Sequence, residues 1–170
     1  MKQAIPSILA LLGAAVLQVG VAPHLAIGGV VPNFILLVVV TLAMVEGPTA
    51  GCALGFAGGL VLDLLGSGPI GVWALVLCVV GYLTGMLQER LFAEGWLLPV
   101  TVVFAASLVA AFGYWMVSSI VGEGGAFGAT VLRIILPSAV YNTVLAVLVY
   151  PWLARLLRRE PAVETVRQFR

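Results

Sequence analysis

The sequence predicts an all-α fold: a polytopic integral membrane protein built as a bundle of about six transmembrane helices, with both termini in the cytoplasm. Hydrophobic residues make up 62% of the 170 residues and charged residues only 9%, and the mean hydropathy is +1.19. Since a spanning helix needs about 20 apolar residues, the chain has room for about six spans and for no separate extramembrane domain. We therefore expect a single transmembrane helical domain, residues 1–153, followed by a basic cytoplasmic tail, residues 154–170.

The first three spans are bounded by proline, glycine and charged residues, which end helices or allow turns. The first span covers residues 5–21, and because further apolar runs follow without a signal-peptide cleavage site, we expect it to be retained. The second span covers residues 32–45 and ends at the Glu-Gly-Pro turn of residues 46–48. The third span covers residues 49–65.

The fourth span covers residues 69–87 and is separated from the third only by the Gly-Ser-Gly turn of residues 66–68. A connection this short makes the third and fourth helices antiparallel neighbours. After a polar break comes the fifth span, residues 96–121, and a glycine-rich stretch then leads to a sixth span that reaches about residue 153.

The basic residues determine the predicted orientation, because lysine and arginine are kept on the cytoplasmic side of a membrane. With six spans and cytoplasmic termini, Lys2, Arg90 and all five tail arginines lie inside, and only Arg133 lies outside. The tail arginines are Arg155, Arg158, Arg159, Arg167 and Arg170. They are expected to hold the topology, or alternatively to contact anionic lipids or cytoplasmic partners.

Glycines recur every four residues in the third span and are matched by two in the fourth. The row is Gly47, Gly51, Gly55 and Gly59, and the matching residues are Gly81 and Gly85. Small residues at this spacing allow two helix backbones to approach closely in a membrane. The row therefore predicts either close packing of the third and fourth spans within the bundle or a groove for a second copy or a partner helix.

Asp63 continues the glycine row by one more step of four, and it is an ionisable residue inside a predicted span. Such residues are costly in a membrane and often functional. Arg133, on the same side of the membrane, is the opposite charge expected to form an outer-leaflet polar cluster with Asp63, and Glu123 could compete for it. The alternatives are that Asp63 caps a helix end and that Arg133 snorkels to the interface.

Enzyme chemistry is not supported by the sequence, which lacks zinc-protease, nucleophile-elbow and phosphate-loop motifs. Its single histidine, His24, falls in a loop, and Cys52 and Cys78 fall in apolar runs without metal-ligand spacing. We expect no catalytic residues, no metal, no cofactor and no nucleic-acid partner.

The central stretch, residues 30–92, contains Pro32-Asn33-Phe34, Glu46-Gly47-Pro48, Gly51, Gly55-Phe56, Gly59-Leu60, Asp63-Leu64-Leu65, Gly68-Pro69-Ile70-Gly71, Gly81-Tyr82 and Gly85. In these residues it resembles the MreD family of bacterial rod shape-determining proteins, and the length and hydropathy also agree. Family members commonly have Pro-Asp where this chain has Pro32-Asn33.

The resemblance implies a non-enzymatic, multi-pass scaffold or regulatory subunit of the bacterial inner membrane, in the elongation complex that builds the peptidoglycan wall. The implied partners are MreC, RodA with its penicillin-binding transpeptidase, membrane lipids and, indirectly, MreB. A groove on the bundle would receive the spanning helix of MreC. The family bundle is also similar to substrate-binding subunits of energy-coupling-factor transporters, which gives the alternative of a vitamin-like capture subunit with a pocket near Asp63, residues 66–71 and Arg133.

Overall fold

The computed structural model describes residues 4–90, 97–122 and 127–157, and the secondary structure there is helical apart from one isolated bridge between Ile27 and Val30. The helices are α1 (Ala4–Gly20), a 3-10 turn (Ala22–Leu25), α2 (Phe34–Glu46), α3 (Pro48–Leu65), α4 (Val72–Arg90), α5 (Leu97–Val121), α6 (Phe127–Thr130), a π-helical turn (Val131–Ile135) and α7 (Leu136–Leu157). The predicted all-helical fold is confirmed for these residues.

Each of the six predicted spans corresponds to one apolar helical segment. Three of these segments, Pro48–Leu65, Val100–Val121 and Val131–Leu148, are long and apolar enough to cross a membrane. The other three, Ile5–Gly20, Phe34–Glu46 and Val72–Gln88, are shorter. Six complete spans therefore stay a prediction.

Apolar side chains cover the outside of the bundle, and several polar ones are buried within it. Val16 is 71% exposed and Ile120 is 79% exposed, whereas Ser7 and Thr41 are buried. A protein in water places large apolar side chains inside, so this distribution is typical of a bundle whose outer surface faces lipid.

The central helix is α2, whose residues from Phe34 to Ala43 are all buried. It begins where Asn33 caps it, since the Asn33 side chain accepts a hydrogen bond from the Leu36 amide. It ends at Gly47, whose positive φ of 89° favours glycine. With 13 residues, α2 is about 20 Å long, against about 37 Å for the 25 residues of α5. α2 is therefore too short to fill the bundle along its whole length, and space is left on the N-terminal side of its first turn.

The connection from α6 to α7 runs through a π-helical turn over Val131–Ile135. There the Leu136 amide donates to the Val131 carbonyl, one residue further back than in an α-helix. Arg133 lies in this turn. The predicted tail, residues 154–170, extends past the described residues from 158 onward, and Lys2 and Glu123 also lie outside them.

Candidate functional site

The glycine row of α3 lies directly against α4, in an antiparallel register. Along this seam Gly47 faces Gly85, Gly51 faces Gly81, Gly55 faces Leu77 and Gly59 faces Trp73. A Cβ atom at Gly51 would lie 2.5 Å from the Gly81 carbonyl oxygen, and one at Gly55 would lie 2.6 Å from the Leu77 carbonyl carbon. Real Cβ atoms do not approach backbone atoms so closely. The α3–α4 seam, as we call these four facing pairs, therefore requires glycine at Gly51, Gly55 and Gly59 of α3 and at Gly81 and Gly85 of α4.

The seam is a contact within one chain. Gly51, Gly55 and Gly59 each face α4 backbone, and Gly58, one position away, faces Ile35 of α2 instead. Because α3 is packed closely on both sides, its glycine row does not form an open groove. Of the two predicted roles, close packing of the third and fourth spans describes the observed contact.

Asp63 lies at the end of the seam, where its carboxylate meets the first turn of α4. One oxygen accepts from the Gly71 amide at 2.9 Å and the Ala74 amide at 3.0 Å, and the other accepts from the Trp73 amide at 3.0 Å. The amides at a helix N-terminus lack partners within the helix, and the helix dipole favours an anion there. Asp63 is only 5% exposed, so α3 supplies the N-terminal cap of α4 from inside the bundle.

Arg133 is not a partner of Asp63 in the structure. Its side chain is exposed in the π-helical turn, and among the described residues it forms no salt bridge. The three backbone amides already surround the Asp63 carboxylate. The expected Asp63–Arg133 pair is therefore replaced by the helix cap that was its alternative, and Glu123 lies outside the described residues.

A second polar cluster, not predicted from the sequence, joins three helices at the start of α2. Asn142 on α7 accepts from the Asn33 amide at 3.0 Å, and Gln18 on α1 accepts from the Phe34 amide at 2.8 Å. The Gln18 amide group also donates to the Pro32 carbonyl at 3.0 Å. We call Gln18, Asn33 and Asn142 the amide cluster. The signal in the sequence is that Gln18 and Asn142 are uncharged amides inside apolar runs, where a polar group needs a partner.

A cavity of about 780 Å³ lies next to the N-terminal end of α2, where this short central helix leaves space. Its wall includes all three residues of the amide cluster, one face of α5 and the π-helical turn. Gly66 of the α3–α4 loop lines it as well, but neither Asp63 nor Arg133 does. Trp73 and Tyr114, whose rings stack with centroids 4.5 Å apart, also line it.

The opposite end of the bundle holds one further polar contact, in which the Ser7 hydroxyl donates to a Glu46 carboxylate oxygen. This contact ties the start of α1 to the end of α2. Within the described ranges, no group of three or more His, Cys, Asp or Glu side chains is arranged to hold a metal ion. The polar groups of these sites hold helix ends together and line a cavity.

The model of the family described as rod shape-determining protein MreD matches residues 2–160 of the chain. No curated protein and no solved structure gives a significant match. The matched range contains the α3–α4 seam, Asp63, the amide cluster and every residue that lines the cavity.

Proposed function

Because this chain belongs to the MreD family of rod shape-determining proteins, whose model matches residues 2–160, we propose that it is a scaffold or regulatory subunit of the cell-wall elongation complex. In this role it has no enzymatic activity and no cofactor, and it controls cell shape by binding MreC and the peptidoglycan synthase. The family is a shape-determining membrane component, and this single observation carries the proposal.

The packing of the bundle supports a scaffold that is rigid at its centre. The α3–α4 seam joins two helices at backbone contact, and Asp63 holds their connection by three hydrogen bonds. A rigid centre fixes the positions of the outer helices, so that surfaces on different helices can hold two partners in a defined arrangement.

The proposed partner contacts lie on the outward faces of the bundle, since α4 covers the glycine row. The outward face of α1 includes Leu9 and Val16, which are 61% and 71% exposed, and that of α5 includes Ile120. A spanning helix of MreC would replace lipid on one of these faces, and packing and interhelical hydrogen bonds drive such an association in a membrane.

We also propose that the protein is a multi-pass protein of the inner membrane with both termini in the cytoplasm. This orientation is supported by the positive-inside pattern, with seven of the eight basic residues on one side. It places the 66–71 loop and Arg133 on the outer side, and the bond between Ser7 and Glu46 on the cytoplasmic side.

The proposed function is tested by purifying the full chain from a rod-shaped bacterium in mild detergent and identifying the proteins that co-elute. We expect MreC together with RodA and its transpeptidase. Co-elution of an ATPase pair and a vitamin instead would contradict the scaffold and support the transporter alternative. Membranes that contain the chain at normal levels, but from which no wall-synthesis protein co-elutes, would also contradict it.

Photocrosslinking in cells then locates the contact. A photoreactive side chain is placed at outward positions, such as Leu9, Val16 and Ile120, and at the core-facing position Ala14, which is 2% exposed, as the matched control. A partner contact gives adducts with MreC or RodA on one outward face and none at Ala14. Adducts with lipid alone on every face would contradict a direct helix contact.

A further inference from the structure

Two buried hydroxyl groups line the cavity without a hydrogen-bond partner among the described residues. Ser107 is 2% exposed and Ser118 is 5% exposed, and both line the cavity from α5. A buried hydroxyl that lacks a partner costs about 1 to 3 kcal/mol. Each of these serines is therefore a residue of the cavity wall whose hydroxyl has a vacant donor and acceptor.

The positions of the two serines define the length of that molecule. They are eleven residues apart on α5, which is about 16 Å along the helix axis and close to three full turns, so both lie on one face. Between them the cavity is lined by Ala110 and Ala111, whose small side chains leave room beside the helix, and by Tyr114 and Trp115. Ser107 and Ser118 are thus the first and last residues of α5 that line the cavity, which extends for about 16 Å along this helix.

The chemistry of the wall disfavours a charged ligand. No described residue that lines the cavity carries an Asp, Glu, Lys, Arg or His side chain, and its polar groups are amides and hydroxyls. An ion without a counter-charge is strongly disfavoured in such a site. The rest of the wall is largely apolar and aromatic and includes Leu36, Leu62 and Ile135. Such a surface gives a column of water molecules too few hydrogen-bond partners.

From these three observations we propose that the cavity binds an elongated, uncharged amphiphile that carries a hydrogen-bonding group at each end. The groups at its two ends bond to Ser107 and Ser118, and its apolar middle lies along Ala110, Ala111 and the stacked rings of Trp73 and Tyr114. A neutral lipid of the membrane and a neutral molecule that enters from outside share this chemistry.

The proposal is tested with a matched series of twelve-carbon probes on the full chain in lipid nanodiscs. A photoreactive dodecanediol, with a hydroxyl at each end, labels the protein, and mass spectrometry locates the label. We expect saturable labelling of the peptides around Ser107 and Ser118. As competitors, dodecanol should be about fivefold weaker than dodecanediol because it loses one hydrogen bond. Hydroxydodecanoate should be at least about tenfold weaker because its carboxylate would be buried without a cation.

Variants of α5 separate binding from folding. Ser107→Ala and Ser118→Ala should each raise the half-saturating concentration about fivefold, without lowering the thermal midpoint of the empty protein, because each removes a buried hydroxyl that has no partner. The matched control is Ser119→Ala, since Ser119 is exposed and donates to the Trp115 carbonyl. Ala111→Leu should abolish labelling, whereas Ala105→Leu, on the exposed side of α5, should not.

Three results would overturn the proposal: labelling that does not saturate, labelling spread evenly over the outward faces, and equal competition by hydroxydodecanoate and dodecanediol.

Organic extraction of the purified protein then distinguishes the two sources of the ligand, a lipid of the membrane and a molecule that enters from outside. A neutral lipid that co-purifies with the unmodified chain but not with Ala111→Leu identifies the membrane as the source. An extract without such a lipid, beside saturable labelling, identifies a ligand from outside. The test is independent of partner binding, so its failure would leave the proposed scaffold intact.

Discussion

Asp63 near the end of α3 accepts a hydrogen bond of 2.9 Å from the amide of Gly71, the residue that precedes α4. The same carboxylate also accepts from Trp73 and Ala74. The residue that ends the glycine row of one helix is thus the cap of the next. This contact fixes where the α3–α4 seam stops, because α4 can begin only where its first amides reach the carboxylate.

Replacing Asp63 by Asn should destabilise the bundle by about 1 to 3 kcal/mol, because an amide has one acceptor oxygen and its NH₂ group would face backbone donors. Thermal unfolding of the purified protein in detergent measures the change. Arg133→Gln is the control and should change stability by less than about 0.5 kcal/mol, since the exposed Arg133 forms no ion pair among the described residues.

A charge swap distinguishes the Asp63 cap from an ion pair between Asp63 and Arg133. If they form a pair, the double variant Asp63→Arg with Arg133→Asp should be more stable than Asp63→Arg alone. The observed cap predicts no rescue, because an arginine at position 63 would face the positive end of the α4 dipole.

Gly55→Leu should prevent the α3–α4 seam from closing. A Cβ atom at this position would overlap the Leu77 backbone, and backbone cannot move aside as a flexible side chain can. We expect a loss of at least about 3 kcal/mol, at the upper end of overpacking effects. Protein amount in the membrane and thermal unfolding provide the measurements, and rod shape should be lost in cells that depend on this chain.

The matched control for the seam is Gly13→Leu on α1, where an added Cβ would meet nothing within 4 Å. Leucine should be tolerated at Gly13 and should raise helix stability slightly, because glycine is the weaker helix former. Equal loss of protein in the two variants would mean that glycine is required for a reason other than the seam.

The sequence was sufficient to predict the helices, and it predicted a close helix contact along the glycine row without deciding between the fourth span and a partner helix. Helix ends were predicted within a few residues because Pro, Gly and charged residues interrupt long apolar runs, and the row from Gly47 to Gly59 marked a close helix contact. The partner of Asp63 was not predictable from charge alone, since the sequence shows side-chain charges but not the unpaired amides of the next helix. A pocket was expected only near Asp63, residues 66–71 and Arg133. Of these, Gly66 alone lines the observed cavity, because the position of the cavity depends on how far α2 falls short of α5 in three dimensions.

Asn142→Ala should destabilise the protein by about 1 to 3 kcal/mol, because the Asn33 amide would lose its acceptor at the partly buried start of α2. Asn142→Asp keeps an acceptor oxygen but places a charge in an uncharged cavity wall, so it should not restore stability at neutral pH. Thermal unfolding of the two variants compares these costs. If Asn142→Ala has no effect, Asn142 does not stabilise the start of α2.

Tyr114 connects α5 to the α3–α4 loop, and its loss should loosen that loop without opening the seam. Its ring stacks on Trp73 at a centroid distance of 4.5 Å, and its hydroxyl lies where a Cβ atom at Gly68 would fall. Tyr114→Leu keeps an apolar side chain but removes the stacking, which is worth about 0.5 to 1.5 kcal/mol. The tryptophan fluorescence of Trp73 should change, and hydrogen exchange should increase at residues 66–71 while the amides of the seam stay protected. Tyr141→Phe, which removes only a hydroxyl bonded to the Leu25 carbonyl and not to the α3–α4 loop, should leave the exchange of residues 66–71 unchanged. Faster exchange along the seam in Tyr114→Leu would mean instead that the aromatic pair holds α4 in place and that the Asp63 cap is not sufficient to do so.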